Sequence, residues 1–208
     1  PGVFDPLSAR VAESSGARTL YMTGYGVSAS LLGKPDAGLV SYREMVDRVR
    51  GICEVTESPL IADGDTGFGG LANVRQAVQG YEAAGASAIQ LEDQEYPKRC
   101  GHTKNRKVIP AEEMVRKIKV AALSRASSDF LIIARTDART EHGLAEAMHR
   151  SEAYIKAGAD VLFLESPESV DEMRSIAEQF PETPKLANMV AGGKTPRLTD
   201  RELRDLGY

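Results

Sequence analysis

The sequence predicts an α/β domain, a (β/α)8 barrel whose eighth unit is missing from this chain. Three observations predict it. One unit recurs along the chain: a short apolar run, a polar or Gly-bearing turn, then a segment with helical period. Each run is short and nearly continuous in apolar residues, as expected of parallel strands covered on both faces. Nearly every run ends in a residue able to bind metal or carboxylate.

The predicted strands are Val3-Phe4, Leu20–Met22, Leu60–Ala62, Ala88–Leu91, Phe130–Ala134, Val161–Leu164 and Lys185–Ala187. Amphipathic helices separate them. In 111–126 the apolar set Met114, Val115, Ile118 and Ala122 recurs at three- and four-residue steps, with Glu112, Arg116, Lys117 and Lys119 elsewhere. Gly16, Gly85 and Gly158 follow three of the helices, where a left-handed residue turns the chain into the next strand. Parallel strands joined by helices need right-handed crossovers, which leaves an open doubly wound sheet or a barrel. Even spacing, the lack of a hydrophilic linker and the count of seven favour the barrel. Pro1 and Tyr208 look like cuts in a longer protein, so 1–208 reads as one barrel domain truncated at both ends.

Composition narrows the function. The 208 residues are 42% hydrophobic and 27% charged, enough for one substantial core. Net charge is −4, from 26 Lys+Arg against 30 Asp+Glu, with no basic block to grip nucleic acid or an anionic membrane. No apolar run approaches the roughly 18–20 residues of a membrane helix. Two cysteines cannot build a disulfide framework, so a reducing, cytoplasmic setting is expected. Three histidines and no Cys-x-x-Cys argue against zinc.

The strand ends carry the chemistry. Asp5 follows the first run, Thr23-Gly24 the second, Asp63-Gly64-Asp65 the third and Glu92-Asp93 the fourth. Arg135-Thr136-Asp137 follows the fifth, Glu165-Ser166 the sixth and Asn188 the seventh. In a barrel these meet at the C-terminal mouth. Any one of them alone is better explained as a helix cap. Asp63 and Asp65, two apart on an extended strand end, would project to one side and repel unless a cation lies between them. All-oxygen ligation suits Mg²⁺, with Glu92 and Asp93 able to hold its waters. An EF-hand is excluded, because Val74 stands where its bidentate Glu belongs. Gly24-Tyr25-Gly26-Val27-Ser28-Ala29 mimics a dinucleotide fingerprint, but Gly33-Lys34-Pro35-Asp36 interrupts the helix it needs. Those glycines fit better as a cradle for a carboxylate or phosphate. In Lys98-Arg99-Cys100-Gly101-His102, two cations and an imidazole flank one thiol, surroundings that depress a thiol pKa and suit proton transfer. Cys53 reads as a buried small hydrophobe, and His142 and His149 as structural.

At these loops the chain resembles the isocitrate lyase and phosphoenolpyruvate mutase superfamily. The resemblance runs through Pro1–Asp5, Thr23–Gly26, Gly33–Asp36, Asp63–Gly67, Leu91–Gln94, Lys98–His102, Ala134–Ala138 and Ala187–Met189. Lys-Arg-Cys-Gly-His marks the lyase branch. The strings 24–33 and 192–196 are most similar to the 2,3-dimethylmalate lyase and petal-death-protein group, with methylisocitrate lyase next. The resemblance implies a (β/α)8 barrel in a homotetramer that exchanges C-terminal helices, part of which lies beyond Tyr208. It implies Mg²⁺, or Mn²⁺, on Asp63 and Asp65, with Asp36 and Glu92 in its outer shell. It implies a substrate carboxylate cradled by Thr23, Gly24 and Tyr25, with Gly101 also binding substrate and Arg135, Glu165 and Asn188 completing the pocket.

The expected reaction splits a 2-hydroxy dicarboxylate of 2-alkylmalate or 2-methylisocitrate type into a 2-oxo acid and a carboxylate. Tyr21, on one strand face with Thr23, is a candidate base. Arg135 with Lys98 and Arg99 would stabilise the developing charge. Cys100, its ionisation set by His102, would protonate the enolate carbon. Oxaloacetate hydrolysis, a phosphonomutase reaction and an inactive dicarboxylate-binding protein are the alternatives.

Overall fold

The computed structural model describes residues 1–99 and 106–208. Six parallel strands pair strictly in chain order: β1 (Gly2–Val3), β2 (Leu20–Met22), β3 (Leu60–Asp63), β4 (Ala88–Glu92), β5 (Leu131–Thr136) and β6 (Val161–Leu164). A doubly wound sheet reverses its strand order at a switch point; this sheet does not, and its sequential order is that of a barrel wall. The seventh predicted run contributes one parallel bridge, Leu162 to Lys185, with the Leu186 amide donating to Leu162 O at 2.8 Å. It therefore lies where the seventh stave belongs, although it is too short to form a ladder among the described residues.

Helices return the chain between strands: α1 (Pro6–Ser14), α2 (Gly24–Val27) running into a π-helical turn (Ser28–Leu32), α3 (Tyr42–Cys53), α4 (Leu71–Ala83), α5 (Ala111–Ser124), α6 (Arg139–His142), α7 (Leu144–Lys156), α8 (Val170–Gln179) and α9 (Asp200–Leu206). The expected stops hold. Gly16, Gly85 and Gly158 have φ of 92°, 102° and 107°, values that an L side chain resists. Asp5 takes the bland reading. Its carboxylate accepts from the Ser8 amide at 2.7 Å and the Ser8 hydroxyl reaches back, a capping box that starts α1.

Two apolar layers follow from the two-residue period of the strands. Ile89, Leu91, Ile132 and Ala134 face outward into the main core with Met114, Ile118 and Tyr154 of the helices. Ala88, Ile133 and Phe163 face inward, packed with Ile61, Val161 and Leu186 as the plug of the barrel interior. Parallel register continues that inner face upward from Ile61 to Asp63, from Ala88 to Gln90 and Glu92, and from Ile133 to Arg135. Fully covered strands that carry acids and an amide on their inner face at the C-terminal end are what position the site.

Between β4 and α5 the chain leaves the rim as a closed stem. The Glu95 amide donates to Lys107 O and the Ile109 amide to Asp93 O, each at 2.8 Å. Among the described residues, no helix is long and apolar enough to cross a membrane.

Candidate active site

Asp63 ends β3 with its carboxylate turned back over the mouth. Oδ2 accepts from the Gly24 amide at 3.1 Å and Oδ1 from the Asp65 amide at 3.0 Å. A Cβ on Gly24 would lie 2.7 Å from Asp63 Oδ2, so only glycine lets that backbone approach. Asp65 does not continue the strand as the sequence suggested. Its φ is +49° and Gly67 N closes a turn on Gly64 O, so a tight turn, not the pleat, brings the two acids together. Burial pushes the Asp65 carboxyl up to about 6, with Lys98 opposing the rise and Asp63 and Asp36 adding to it.

Lys98 sits in the middle of the acids. Its Nζ is 2.6 Å from Asp36 Oδ1 and 2.7 Å from Asp65 Oδ1, and the side chain is 3% exposed. Burial alone would lower its pKa; Asp65, Asp63, Glu92 and Asp36 together outweigh that and raise it. All four acids expected at the metal therefore act on one ammonium.

Gln90 carries the network across the mouth and was missed from sequence, where it read as part of an apolar run. It is fully buried, its Nε2 lying 3.4 Å from Asp63 Oδ1 and 3.5 Å from Glu92 Oε2. Its Oε1 accepts a short hydrogen bond from the Tyr21 hydroxyl. The available signal was its two-residue offset from Glu92, which puts both on one strand face; its register opposite Asp63 came from the fold. Desolvation raises the Tyr21 phenol well above its usual range, and neighbouring Asp63 adds to the rise. In this setting the Tyr21 hydroxyl donates to Gln90, which argues against its expected role as a base.

Arg135 closes the far side. Nε and Nη2 donate to Asp137 at 2.8 and 2.9 Å, Nε lies 3.4 Å from Glu92 Oε2, and Nη2 lies 3.4 Å from Glu165 Oε2. The guanidinium also stacks 5.0 Å from the Phe163 ring centroid. Burial pushes Glu92 well up, against the pull of Arg135. Glu165 accepts from Ser166 Oγ at 3.0 Å and from Asn188 Nδ2 at 3.3 Å, which brings the seventh run's polar residue into the same pocket.

Other expected residues fall elsewhere. Asp93 cannot hold waters beside Glu92, because adjacent strand residues face opposite sides. It points to the helices and accepts from Thr136 Oγ1, the Asp137 amide, Tyr154 Oη and Arg150 Nη1. Thr23 caps α2 through the Gly26 amide at 3.3 Å, and the Tyr25 side chain is 59% exposed. Arg99 is exposed, and among the described residues its backbone joins the network, its N–H donating to Gln94 Oε1 at 3.0 Å. Cys100, Gly101 and His102 lie outside the described residues. A cavity of about 660 Å³ opens beside Asp65 and Gln94, lined also by Tyr42, Phe68, Tyr96 and Lys117.

Among the described residues, no three His, Cys, Asp or Glu side chains form a ready-made metal cage. The donor set nevertheless fits a hard, water-keeping divalent ion. It is all oxygen, and Asp65 Oδ1 is buried with no hydrogen bond of good geometry besides its ion pair to Lys98.

The family model for phosphoenolpyruvate phosphomutase matches residues 1–208. The chain is 52% identical over 208 residues to 2,3-dimethylmalate lyase of Eubacterium barkeri, covering all of this chain and 72% of that protein. It spans 62% of the length of another curated relative. Among solved structures, a 2,3-dimethylmalate lyase matches with TM-score 0.98 at 39% identity, over 100% of this chain and 70% of that one. An oxaloacetate acetylhydrolase bound to 3,3-difluorooxalacetate matches with TM-score 0.97 at 39% identity, over 100% and 71%. A phosphonopyruvate hydrolase solved with oxalate and Mg²⁺ matches with TM-score 0.86 at 34% identity, over 99% and 71%. With its whole length matched by the family and its strand ends assembled into one polar mouth, the chain is an enzyme of the phosphoenolpyruvate phosphomutase family, akin to that family's lyases.

Proposed function

We propose that this chain carries the centre of a divalent-metal-dependent carbon–carbon lyase. Its substrate is a 2-hydroxy dicarboxylate of 2-alkylmalate or 2-methylisocitrate type, split into a 2-oxo acid and a carboxylate. The observation that carries the reading is the Asp63–Gln90–Glu92–Arg135–Glu165 chain of contacts across the inner mouth, with Asp36, Asp65 and Lys98 at one end.

Asp63 and Asp65 would hold Mg²⁺ or Mn²⁺, with Asp36 and Glu92 farther out. When bound, the ion supplies Lewis acidity to the substrate's hydroxyl and carboxylate oxygens. The protein's own groups do the rest. The glycine backbone after Thr23 gives a carboxylate close access, with Thr23 and Tyr25 on either side, and Gly101 is proposed as a further contact to the substrate. Arg135, its fork fixed by Asp137, opposes the negative charge that develops as the C2–C3 bond breaks. Glu165 and Asn188 bound the pocket beside it. The 2-hydroxyl proton passes to a carboxylate of the mouth as the bond breaks, with Tyr21, kept neutral, donating a hydrogen bond beside it. Cys100 gives its proton to the enolate carbon, with His102 and Arg99 tuning the thiol. The working assembly is proposed to be a homotetramer, which sedimentation velocity on the full-length protein tests.

Hydrolysis of oxaloacetate is the second reading, supported by the likeness to the acetylhydrolase. One experiment separates the two. Full-length protein with Mg²⁺ is offered 2-alkylmalates, 2-methylisocitrate and oxaloacetate, and release of 2-oxo acid and of oxalate is followed separately. The lyase reading expects 2-oxo acid, loss of rate with chelator, and loss of turnover in Cys100→Ala. Oxalate release from oxaloacetate without cleavage of any malate moves the assignment to the hydrolase.

A further inference from the structure

One cation from the chain itself already stands in the acid cluster. Lys98 Nζ bridges Asp36 Oδ1 and Asp65 Oδ1 at 2.6 and 2.7 Å, in a setting where its side chain is 3% exposed. Two of its partners lie far away in sequence, so the tertiary fold put a cation here. An ammonium and a divalent ion cannot both hold Asp65 Oδ1 at contact distance without strong repulsion in a poorly screened site.

The backbone around Lys98 has its own anchors. Gln94 Nε2 donates to Glu92 Oε1 and Arg99 O, both at 2.9 Å, and Gln94 Oε1 accepts from the Arg99 amide at 3.0 Å. The Tyr96 hydroxyl donates to Gly38 O at 3.0 Å. The rim segment is therefore tied to the strand end that bears Glu92, and Lys98 adds a charged tie to Asp36 and Asp65.

We propose that Lys98 is a resident counter-ion: it holds Asp36 and Asp65 together while no divalent cation is bound, and cation binding displaces its ammonium. Metal loading and the placement of the rim segment 94–99 are then linked, each altering the other by the same free energy. Lys98 is a positioning residue in this role, and its release makes a cation available to the substrate only after the metal has entered. The inference rests on the assignment of Asp63 and Asp65 to the metal.

The test uses full-length protein without substrate, titrated calorimetrically with MgCl2. Lys98→Met, which keeps the length and loses the charge, should bind Mg²⁺ at least about fivefold more tightly than wild type. Lys98→Arg should stay near wild type. As a second readout, Tyr96→Trp places a reporter in a 208-residue stretch that contains no tryptophan. Mg²⁺ should shift its emission with the calorimetric midpoint, and the shift should vanish in Tyr96→Trp/Lys98→Met. Lys98→Gln replaces Lys98→Met should the latter melt early by circular dichroism. Wild-type binding with an unchanged or weaker Lys98→Met overturns the inference alone. An absence of Mg²⁺ binding in wild type and all variants overturns the metal assignment and the inference with it.

Discussion

Arg135 and Asp137 form a two-pronged pair within one strand end, with Nε and Nη2 donating to the two carboxylate oxygens at 2.8 and 2.9 Å. Residues two apart in an extended chain share a face, so the acid can fix the fork that faces Glu92 and Glu165. Arg106 also pairs with Asp137, at 2.9 Å.

Lys cannot reproduce that fork. Arg135→Lys should therefore lower kcat/KM about a hundredfold while the melting midpoint moves little. Asp137→Ala takes a carboxylate from two buried guanidiniums, leaving Arg135 the longer contacts to Glu92 and Glu165, and should cost about 3 kcal/mol in urea unfolding. Equal stability losses in the two variants would contradict a division between reactive cation and anchor.

Asp93 should behave as a pillar of the fold. Its four donors come from β5, the turn after it and α7. Asp93→Ala is expected to destabilise by about 3–5 kcal/mol, with Mg²⁺ affinity retained in the folded fraction. Calorimetric titration beside a denaturation curve reads both quantities.

Gly24→Ala tests the cradle. The added methyl meets Asp63 Oδ2 at 2.7 Å, against a carboxylate held by two backbone amides. Mg²⁺ affinity should fall about 10–100-fold, as for other disturbed metal-ligand supports. Wild-type affinity in Gly24→Ala would show that Asp63 can move aside freely.

Tyr21 gives a pH prediction. A phenol whose pKa is higher in the fold than in the unfolded chain adds stability below about pH 10, and that contribution disappears as pH climbs through the raised value. Tyr81 and Tyr154 are likewise raised by burial. The wild-type minus Tyr21→Phe ultraviolet difference should show no phenolate until alkaline unfolding. Tyr21→Phe should lower the rate without changing the shape of the pH profile; a lost limb near neutral pH would restore the base role.

Acidification should weaken the rim near α8. Arg139 forks onto Glu172, and the Glu168 amide adds a third bond to that carboxylate. Against the opposing effect of burial, these contacts lower the Glu172 pKa. Their stabilisation is present above the unfolded value of about 4.3 and is lost as pH falls through the lower folded one. Glu172→Gln should flatten that part of the acid unfolding curve.

The sequence by itself determined the elements that depend on near neighbours. Strand runs such as Leu20–Met22 and Val161–Leu164, and the helix stops at Gly85 and Gly158, follow from local composition and backbone sterics. Sequential parallel strands also carried Asp63, Glu92, Arg135 and Glu165 to one mouth, because a strand end is a fixed place in a repeating unit. Only the tertiary structure decided which neighbour each group has. Glu92 and Asp93 are adjacent in the chain yet face opposite layers, and Gln90 became the bridge between Asp63 and Glu92. Lys98 was read as a partner for substrate and stands among carboxylates that lie far from it in sequence. Charge pairing in a buried place depends on separation and dielectric, and both are properties of the packed barrel mouth that no stretch of sequence contains.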